Sequence, residues 1–157
     1  MSKIVIFSLG QEKYGVLIHQ VREIIPCSQI APVPGTPDYF EGFMNVRGEL
    51  ISIINLRTFI EMEETAEKEE SRILILSSRK GTIQGILVDE VTSIKEIEWD
   101  QLHNVEENRN NTGFPKEFLK GVINTDSGLV LVLDVERMFS EEKEEKEEKE
   151  DRKILQN

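Results

Sequence analysis

The sequence is poor in the residue types that most often carry chemistry. It has a single cysteine, Cys27, and two histidines, His19 and His103, among 157 residues. One cysteine cannot form an internal disulfide, and neither histidine has a second candidate ligand at metal-binding spacing. Glycine-rich phosphate loops and the G-x-S-x-G nucleophile motif are also missing. The sequence therefore argues against an enzyme and predicts no metal and no cofactor.

Positive charge and long apolar runs are scarce as well. Lysine and arginine number 19 against 30 aspartates and glutamates, which gives a net charge of −11. An acidic protein repels phosphate backbones and anionic lipids, so nucleic acid and membrane surfaces are disfavoured as partners. No apolar run approaches the roughly 20 residues of a membrane-spanning helix. The first residues lack the pattern of a signal peptide, and the sequence predicts a soluble cytoplasmic protein.

Short segments rich in β-branched residues make up most of the chain. Residues 3–18, KIVIFSLGQEKYGVLI, predict two strands joined by a turn at Gly10. Residues 43–57, FMNVRGELISIINLR, predict a hairpin whose two apolar strands meet at a tight Arg47-Gly48 turn. A mostly β fold is therefore expected.

Two other segments favour helix. Residues 19–25, HQVREII, place three apolar side chains at helical spacing and are followed by Pro26. Residues 56–62, LRTFIEM, predict a short helix or a turn. The polar, acidic stretch at residues 63–71 is the best candidate for a hinge.

The pattern occurs twice along the chain. The block that begins at Gly15 recurs from Gly85, 70 residues later, and the hairpin block that begins at Gly42 recurs from Gly121, 79 residues later. Each copy was therefore interpreted as a strand–strand–helix–strand–strand unit of about 70 residues. Short strands with almost no long helix favour small closed barrels, which remove exposed strand edges.

The duplication predicts two packed β-barrel lobes with a groove between them. Lobe one covers about residues 1–65 and lobe two about 72–140, and an exchange of strands between the lobes is compatible with this division. The remaining residues, 141–157, carry five basic and eight acidic side chains. They have almost no apolar face to bury, which predicts a charged tail that is flexible or helical.

Residue types alone leave the site open. Asp89, Glu90 and Asp134 end apolar strands, where solvated carboxylates are more common than catalytic pairs. Val21 and Val91 fit a groove between the lobes or plain core packing equally well. At this level the sequence indicates an acidic, duplicated binding module.

Four ordered blocks carry a resemblance to a known family: KYGVLIHQVREII, APVPGTPDYFEGFMNVRGELISIINLR, GILVDEVTSI and GVINTDSGLVLVLDVERMF. Together they resemble the CheW family from about Ile4 to Ser140, and the N-x-R-G sequence is the most specific part. The resemblance implies two SH3-like, five-stranded β-barrels related by internal duplication, with short helices. It also implies a non-enzymatic adaptor that couples transmembrane chemoreceptors to the histidine kinase CheA in bacterial chemotaxis, recruited to membrane-bound receptor arrays.

The resemblance also implies where the partners bind. In this family the groove between the barrels takes the cytoplasmic hairpin tip of a chemoreceptor, and a separate barrel face pairs with the regulatory domain of CheA. Receptor binding is carried over to eight positions: Val21, Glu23, Gly42, Asn45, Arg47, Gly48, Gly85 and Val91. No residue of this chain is assigned to the kinase-binding face. Four positions differ from the family pattern: Leu17 where an acid is frequent, Val46 where leucine is usual, Ser52 where proline is common and Asn55 where aspartate is common.

Two alternatives accompany this interpretation. The chain could be the CheW-like half of a CheV-type or CheA-regulatory-type protein. No kinase, phosphotransfer or receiver segment accompanies the domain, so a stand-alone coupling protein is expected. A small-barrel nucleic-acid binder is the remote alternative, because it needs a basic face and exposed stacking aromatics.

Arg47 raises a question of its own. As a hypothesis, the hairpin turn displays its guanidinium to a charged partner, since a rigid strand pair is a better platform than a loop. A structural role is the alternative, with Arg47 bonded to its own turn or to an acid such as Asp89 across the groove. The second copy has Asp126 at the corresponding turn, so we expect only one lobe to present a cation.

Overall fold

The computed structural model describes residues 1–63, 69–104 and 115–139. Most of the predicted hinge and the whole tail at 141–157 lie outside the described residues. The strands are β1 (Ser2–Leu9), β2 (Glu12–Leu17), β3 (Val21–Pro26), β4 (Phe40–Val46), β5 (Glu49–Asn55), β6 (Arg72–Ser77), β7 (Ile83–Val88), β8 (Glu90–Ile97), β9 (Leu119–Thr125) and β10 (Gly128–Leu133). Helix α1 covers Leu56–Phe59, 3-10 turns cover Ile18–Gln20, Trp99–Gln101 and Lys116–Phe118, and residues 135–139 form one helical turn.

The strands form two five-stranded sheets, which confirms the predicted mostly β fold. The first sheet has the order β8-β1-β2-β10-β9 and the second has the order β3-β6-β7-β5-β4. The two orders are equivalent: each strand of the second sheet corresponds to the strand five places later in the chain, with the count returning to β1 after β10. The duplication seen in the sequence therefore also appears in the way that the strands pair. Each sheet draws strands from both halves of the chain, and a division near residue 65 does not separate them.

The barrels are not closed rings of paired strands. Within the described residues, β8 and β9 form the edges of the first sheet, and β3 and β4 form those of the second. Part of each sheet is covered instead by a crossing segment, through the isolated bridges Ala31–Phe43 and His103–Val122. These bridges pair backbone groups that an open edge would leave exposed.

The predicted helix at residues 19–25 is wrong. Only a 3-10 turn forms at Ile18–Gln20, and β3 follows it, paired with β6. The register shifts at a β-bulge, so that Val21 faces Leu76, whereas Glu23 faces Ile75 and Ile24 faces Leu74. A bulge places residues i and i+3 on one face of a strand, and this spacing was interpreted as a helical period.

Alternating side chains divide the apolar residues among three clusters. On β1, Val5 and Phe7 point into a large core shared by both sheets, whereas Ile4 and Ile6 point into a smaller core of the first sheet alone. β6 behaves in the same way, since it contributes to the shared core and to a third cluster in the second sheet. The period of two along a strand explains this division. Each fully buried Leu, Ile or Phe stabilises the fold by roughly 1.5–3 kcal/mol, so the shared core holds the sheets together.

The short helix expected after the first hairpin is present. Asn55 precedes α1, and its side-chain oxygen accepts hydrogen bonds from the backbone N–H groups of Arg57 (3.1 Å) and Thr58 (3.4 Å). This is the N-cap arrangement that ends a strand and begins a helix. Within the described residues, no helix is long and apolar enough to cross a membrane.

Candidate partner-binding site

The turn of the β4–β5 hairpin is built by three of the predicted site residues. Val46 pairs with Glu49, which leaves Arg47 and Gly48 as a two-residue loop with φ angles of 51° and 84°. Two positive φ angles define the type I′ turn that suits the twist of a hairpin, and glycine adopts them without strain. The Asn45 side-chain oxygen accepts a hydrogen bond from the Gly48 N–H at 2.8 Å. Asn45 and Gly48 therefore fix the turn on which Arg47 stands.

The Arg47 side chain projects into solvent but is not unpaired. It is 79% exposed, and its guanidinium forms an ion pair with the carboxylate of Glu23 on β3, which is 23% exposed. Exposed pairs of this kind contribute little to stability, with a median of about 0–1 kcal/mol. The hypothesis that the turn displays a cation agrees with this exposure. The alternative, in which Arg47 is bonded to an acid, also has support, but the acid is Glu23 and not Asp89, which Arg57 binds.

A second ion pair lies beside the first. Arg22 Nη1 is 3.4 Å from the Glu49 carboxylate, so cations and anions from β3 and from the hairpin face each other. Between them is a shallow cleft lined by Arg22, Glu23, Val46, Arg47, Glu49, Ile51 and Ile75. Four of these lining residues are charged and three are apolar, a combination that suits a protein partner with a matching charged side chain.

Gly42 has a backbone role near this hairpin. Its φ is +135°, and a Cβ placed there would lie 2.0 Å from the carbonyl oxygen of Ala31. Ala31 exchanges two backbone hydrogen bonds with Phe43, at 2.8 and 3.0 Å. Gly121, its counterpart, likewise allows the approach of His103, whose oxygen would be 2.5 Å from a Cβ. Because Gly42 has no side chain, the backbone at Ala31 can cross β4 at close range and pair with it. The role of Gly42 near the hairpin is therefore to allow this backbone contact.

Val21 and Val91 lie at corresponding places on the two sheets. Both are half-buried and pack against the shared core. β3 and β8 each carry a bulge between these valines and the next paired residue, so Ile24 and Ile94 lie on the same faces as Val21 and Val91. Ile24 is 38% exposed and Ile94 is 54% exposed. These four side chains, which we call the groove residues, form apolar surface where the shared core meets solvent.

Gly85 is placed differently from the other predicted site residues. It is buried on β7, and a Cβ would lie 2.4 Å from Ile53 Cδ1 and 3.2 Å from Ile73 Cγ2. Gly85 therefore serves packing inside the second sheet. Any effect on a partner must act through that packing.

A further ion pair that the sequence did not predict joins Arg57 and Asp89. Asp89 was expected to be a solvated strand-end carboxylate, but Arg57 Nε donates to its Oδ1 at 2.6 Å, and Arg57 Nη2 donates to Oδ2. The Gly10 N–H also donates to Oδ2, at 2.8 Å. These hydrogen bonds raise the pKa of the Arg57 guanidinium, against a smaller opposing effect of burial. In the sequence, only the position of Arg57 just after the hairpin and of Asp89 just after β7 could have indicated this pair.

The structure thus separates the predicted residues into three places. Glu23, Asn45, Arg47 and Gly48 lie at one end of the second sheet, around the charged cleft. Val21 and Val91 belong to the apolar groove residues, and Gly42 and Gly85 act through the backbone and the core. Ile24, Ile94, Arg22 and Glu49 were not singled out from the sequence. Within the described residues, no cluster of three or more His, Cys, Asp or Glu side chains could hold a metal ion.

Comparison with known proteins identifies the family. A family model described as a CheW-like domain matches residues 3–143. The chain belongs to the CheW-like family. The chemotaxis protein CheW of Treponema pallidum is 28% identical over 144 residues, which are 90% of this chain and 84% of that protein. The crystal structure of the scaffolding protein TtCheW from Thermoanaerobacter tengcongensis has 29% identity and a TM-score of 0.77, over 85% of this chain and 84% of that one.

A CheV protein also matches this CheW-like chain. The chemotaxis protein CheV3 of Helicobacter pylori is 27% identical over 131 residues, which are 83% of this chain and 42% of CheV3. The comparisons therefore support a chemotaxis scaffold of the CheW-like family and confirm the resemblance seen in the sequence.

Two of the four departures from the family pattern, Leu17 and Asn55, have local explanations. Leu17 is buried in the core of the first sheet, where an acid would need a partner. Asn55 caps α1 through its oxygen and donates through Nδ2 to Glu41 Oε1 at 2.9 Å. An ionised aspartate accepts only, so it could make the cap but not the second bond.

Proposed function

We propose that this CheW-like protein is a non-enzymatic adaptor that couples transmembrane chemoreceptors to a CheA-type histidine kinase. One surface takes the cytoplasmic hairpin tip of a receptor, and a second surface binds the regulatory domain of the kinase. The functional unit is residues 1–140, with the charged residues 141–157 outside it. In the cell the protein would be cytoplasmic and recruited to membrane-bound receptor arrays through these contacts.

The observation that carries the proposal is the exposed Arg47 on a rigid type I′ turn, within the charged cleft. Guanidinium side chains near the centre of an interface are among the residues that most often dominate binding free energy. Asn45 and Gly48 hold the turn, so little conformational entropy is lost when a partner engages Arg47. A solvated turn residue needs no such support.

The groove residues support the receptor half of the proposal. Apolar side chains that stay partly exposed beside a core are typical of surfaces that take a helical partner. The charged cleft and the groove residues both involve β3, but Glu23 and Val21 lie on opposite faces of that strand because of the bulge between them.

The CheV-type role is the second candidate, and the match to CheV3 favours it. Both roles use the same CheW-like surfaces, so they predict the same contacts. A nucleic-acid role is disfavoured by the net charge of −11, since phosphate binding depends on neutralisation by lysine and arginine.

A titration tests the proposal. The purified chain is titrated separately with a soluble receptor hairpin fragment and with the regulatory domain of a CheA-type kinase, and then with both together. The proposal expects saturable binding to each and a ternary complex, because the two surfaces are distinct. Competition between the two partners, or binding to neither, would contradict it. A labelled oligonucleotide, expected not to bind, covers the nucleic-acid alternative.

A further inference from the structure

The chain passes between the sheets at two corresponding places. β2 belongs to the first sheet and β3 to the second, and the turn Ile18–Gln20 joins them. β7 belongs to the second sheet and β8 to the first, and Asp89 alone joins them. Val21 directly follows the first crossover, and Val91 lies two residues beyond the second. The two valines among the groove residues therefore each lie close to a crossover.

The crossover at Asp89 is tied to both sheets by one carboxylate. Arg57 comes from α1, which follows β5 of the second sheet, and donates two charged hydrogen bonds to Asp89. Gly10 comes from the turn between β1 and β2 of the first sheet, and its N–H donates to Asp89 at 2.8 Å. Arg57 also donates to the Glu63 carbonyl at 3.1 Å, which fixes the far side of its guanidinium.

The duplication places Glu136 at the position equivalent to Arg57, 79 residues later. Glu136 lies on the helical turn 135–139, which follows β10 of the first sheet. Its Oε1 accepts from the backbone N–H of Arg79 at 2.8 Å, in the turn between β6 and β7 of the second sheet. The same oxygen faces Gln20 Nε2, in the other crossover, at 3.5 Å. In the second copy, therefore, the Glu136 side chain contacts both a crossover, at Gln20, and a hairpin turn, at Arg79. In the first copy, Asp89 lies in the other crossover and contacts both Arg57 and the hairpin turn at Gly10.

The two ties differ in strength. Arg57 and Asp89 form a forked, charge-assisted pair, the stronger class of hydrogen bond. The contact from Gln20 to Glu136, at 3.5 Å, is at the limit of hydrogen-bonding distance. Gln20 is only 4% exposed, and its Oε1 has no hydrogen-bond partner among the described residues. The contact between Arg57 and Asp89 is therefore stronger than the contact between Gln20 and Glu136.

We propose that Arg57 and Asp89 are positioning residues that set the groove for the receptor hairpin. This inference rests on the proposed adaptor function. The pair holds the start of β8, and therefore Val91 and Ile94, against the second sheet. Arg57 is only 13% exposed, so it acts through this placement and not through contact with the receptor.

The test compares equivalent positions of the duplication. Arg57→Gln and Asp89→Asn remove the charged pair, and Glu136→Gln neutralises the corresponding position of the other copy as a matched control. Each variant is titrated with the receptor hairpin fragment and the kinase regulatory domain, well below its melting temperature. Amide hydrogen exchange at Gly10 and methyl NMR of Val21 and Val91 report the crossovers without any partner.

We expect Arg57→Gln and Asp89→Asn to weaken hairpin binding roughly five- to tenfold, as for couplings carried through a packed network. In these two variants the affinity for the kinase domain should change less than about twofold. In the control Glu136→Gln the affinity for the receptor hairpin should also change less than about twofold. Exchange at the Gly10 N–H should accelerate in the first two variants, and the Val91 methyl signals should shift more than those of Val21. Arg57→Lys, which keeps the charge without the fork, should lie between Arg57→Gln and the wild type.

Three outcomes would overturn the proposal. Hairpin binding equal to that of the wild type in Arg57→Gln would show that the pair does not position the groove. Equal losses for both partners, in step with the melting temperature, would reduce the pair to general stabilisation. If the wild type itself does not bind the hairpin, the proposed function fails. The positioning role is then judged without a partner: it is refuted if the Val91 methyl signals shift no more in Arg57→Gln than in Glu136→Gln. If Asp89→Asn does not fold, Arg57→Lys and Arg57→Gln decide the question alone.

Discussion

Arg47 and Glu23 form an ion pair between the β4–β5 turn and the neighbouring strand β3, with most of the guanidinium still exposed. The pair orients Arg47 over the charged cleft without burying it. A partner carboxylate can therefore share or replace Glu23 at small cost. The duplicated hairpin carries Asp126 at its turn instead, so the two copies present opposite charges.

Replacement of Arg47 by alanine should separate binding from stability. The free energy of unfolding should change by no more than about 0.5 kcal/mol, as for an exposed side chain. Binding of the partner that uses the cleft should weaken by about 1–3 kcal/mol, or roughly ten- to a hundredfold. Thermal melts and titrations with the hairpin fragment and the kinase domain, made on one preparation, measure both quantities.

Two further variants act as controls for Arg47. Arg47→Lys should restore only part of the affinity, because ammonium lacks the forked donors of guanidinium. Asp126→Ala changes the corresponding turn of the other copy and should leave the affinity of that partner unchanged. Unaltered titrations for Arg47→Ala would show that Arg47 is merely a solvated turn residue.

Gly42 and Gly48 should respond very differently to alanine. At Gly42 the new methyl group would clash with Ala31 at 2.0 Å, in addition to an unfavourable φ. We expect a loss of at least about 2 kcal/mol, or a fall in melting temperature of roughly 4–8 °C. At Gly48 no atom lies within 4 Å of the new Cβ, so only the φ of 84° opposes alanine, at about 1 kcal/mol. Similar melting temperatures for the two variants would contradict the close approach of residue 31.

Local signals in the sequence were sufficient for the hairpin and the duplication. An asparagine and a glycine around a two-residue turn, flanked by apolar strands, specify a hairpin almost on their own. The recurrence of the same block 79 residues later then predicted a second copy. The hydrogen bond between Asn45 and Gly48 is of the local kind that a sequence can indicate, because the two residues are three positions apart.

Contacts between distant segments could not be predicted in the same way. β3 was interpreted as a helix because its bulge places Val21 and Ile24 on one face, and the bulge is set by pairing with β6, far along the chain. The partners in the Arg57–Asp89 pair are 32 residues apart, and those in the Arg47–Glu23 pair are 24 apart. Such pairs form only after the chain has passed from one sheet to the other and distant strands have paired. No short motif in the sequence specifies that arrangement.

A charge introduced among the groove residues should weaken receptor binding more than kinase binding. Val21→Lys places an ammonium at the edge of the shared core, with a moderate loss of stability because Val21 is half-buried. Ile24→Lys places the same charge on the same face at a more exposed position, so hairpin affinity should fall roughly tenfold with little change in stability. Titrations with both partners check this.

Leu50→Lys is the matched control for the groove. Leu50 is 69% exposed and pairs with Asn45 in the β4–β5 hairpin, away from the shared core. We expect its substitution to leave hairpin binding unchanged. Equal effects of Ile24→Lys and Leu50→Lys on hairpin affinity would mean that the groove residues do not form the receptor site.

Deletion of residues 141–157 should leave folding and both affinities intact. The segment carries eight acidic and five basic side chains with only Ile154 and Leu155 as large apolar residues, so it has little surface to bury on the sheets.

A deletion that starts at residue 135 should behave in the opposite way. It removes Val135, Met138 and Phe139, all buried in the shared core, and the loss of each large core side chain costs about 2–5 kcal/mol. Melting curves of the two truncations decide the matter, and a large drop for the shorter deletion would show that the charged tail packs on the folded body.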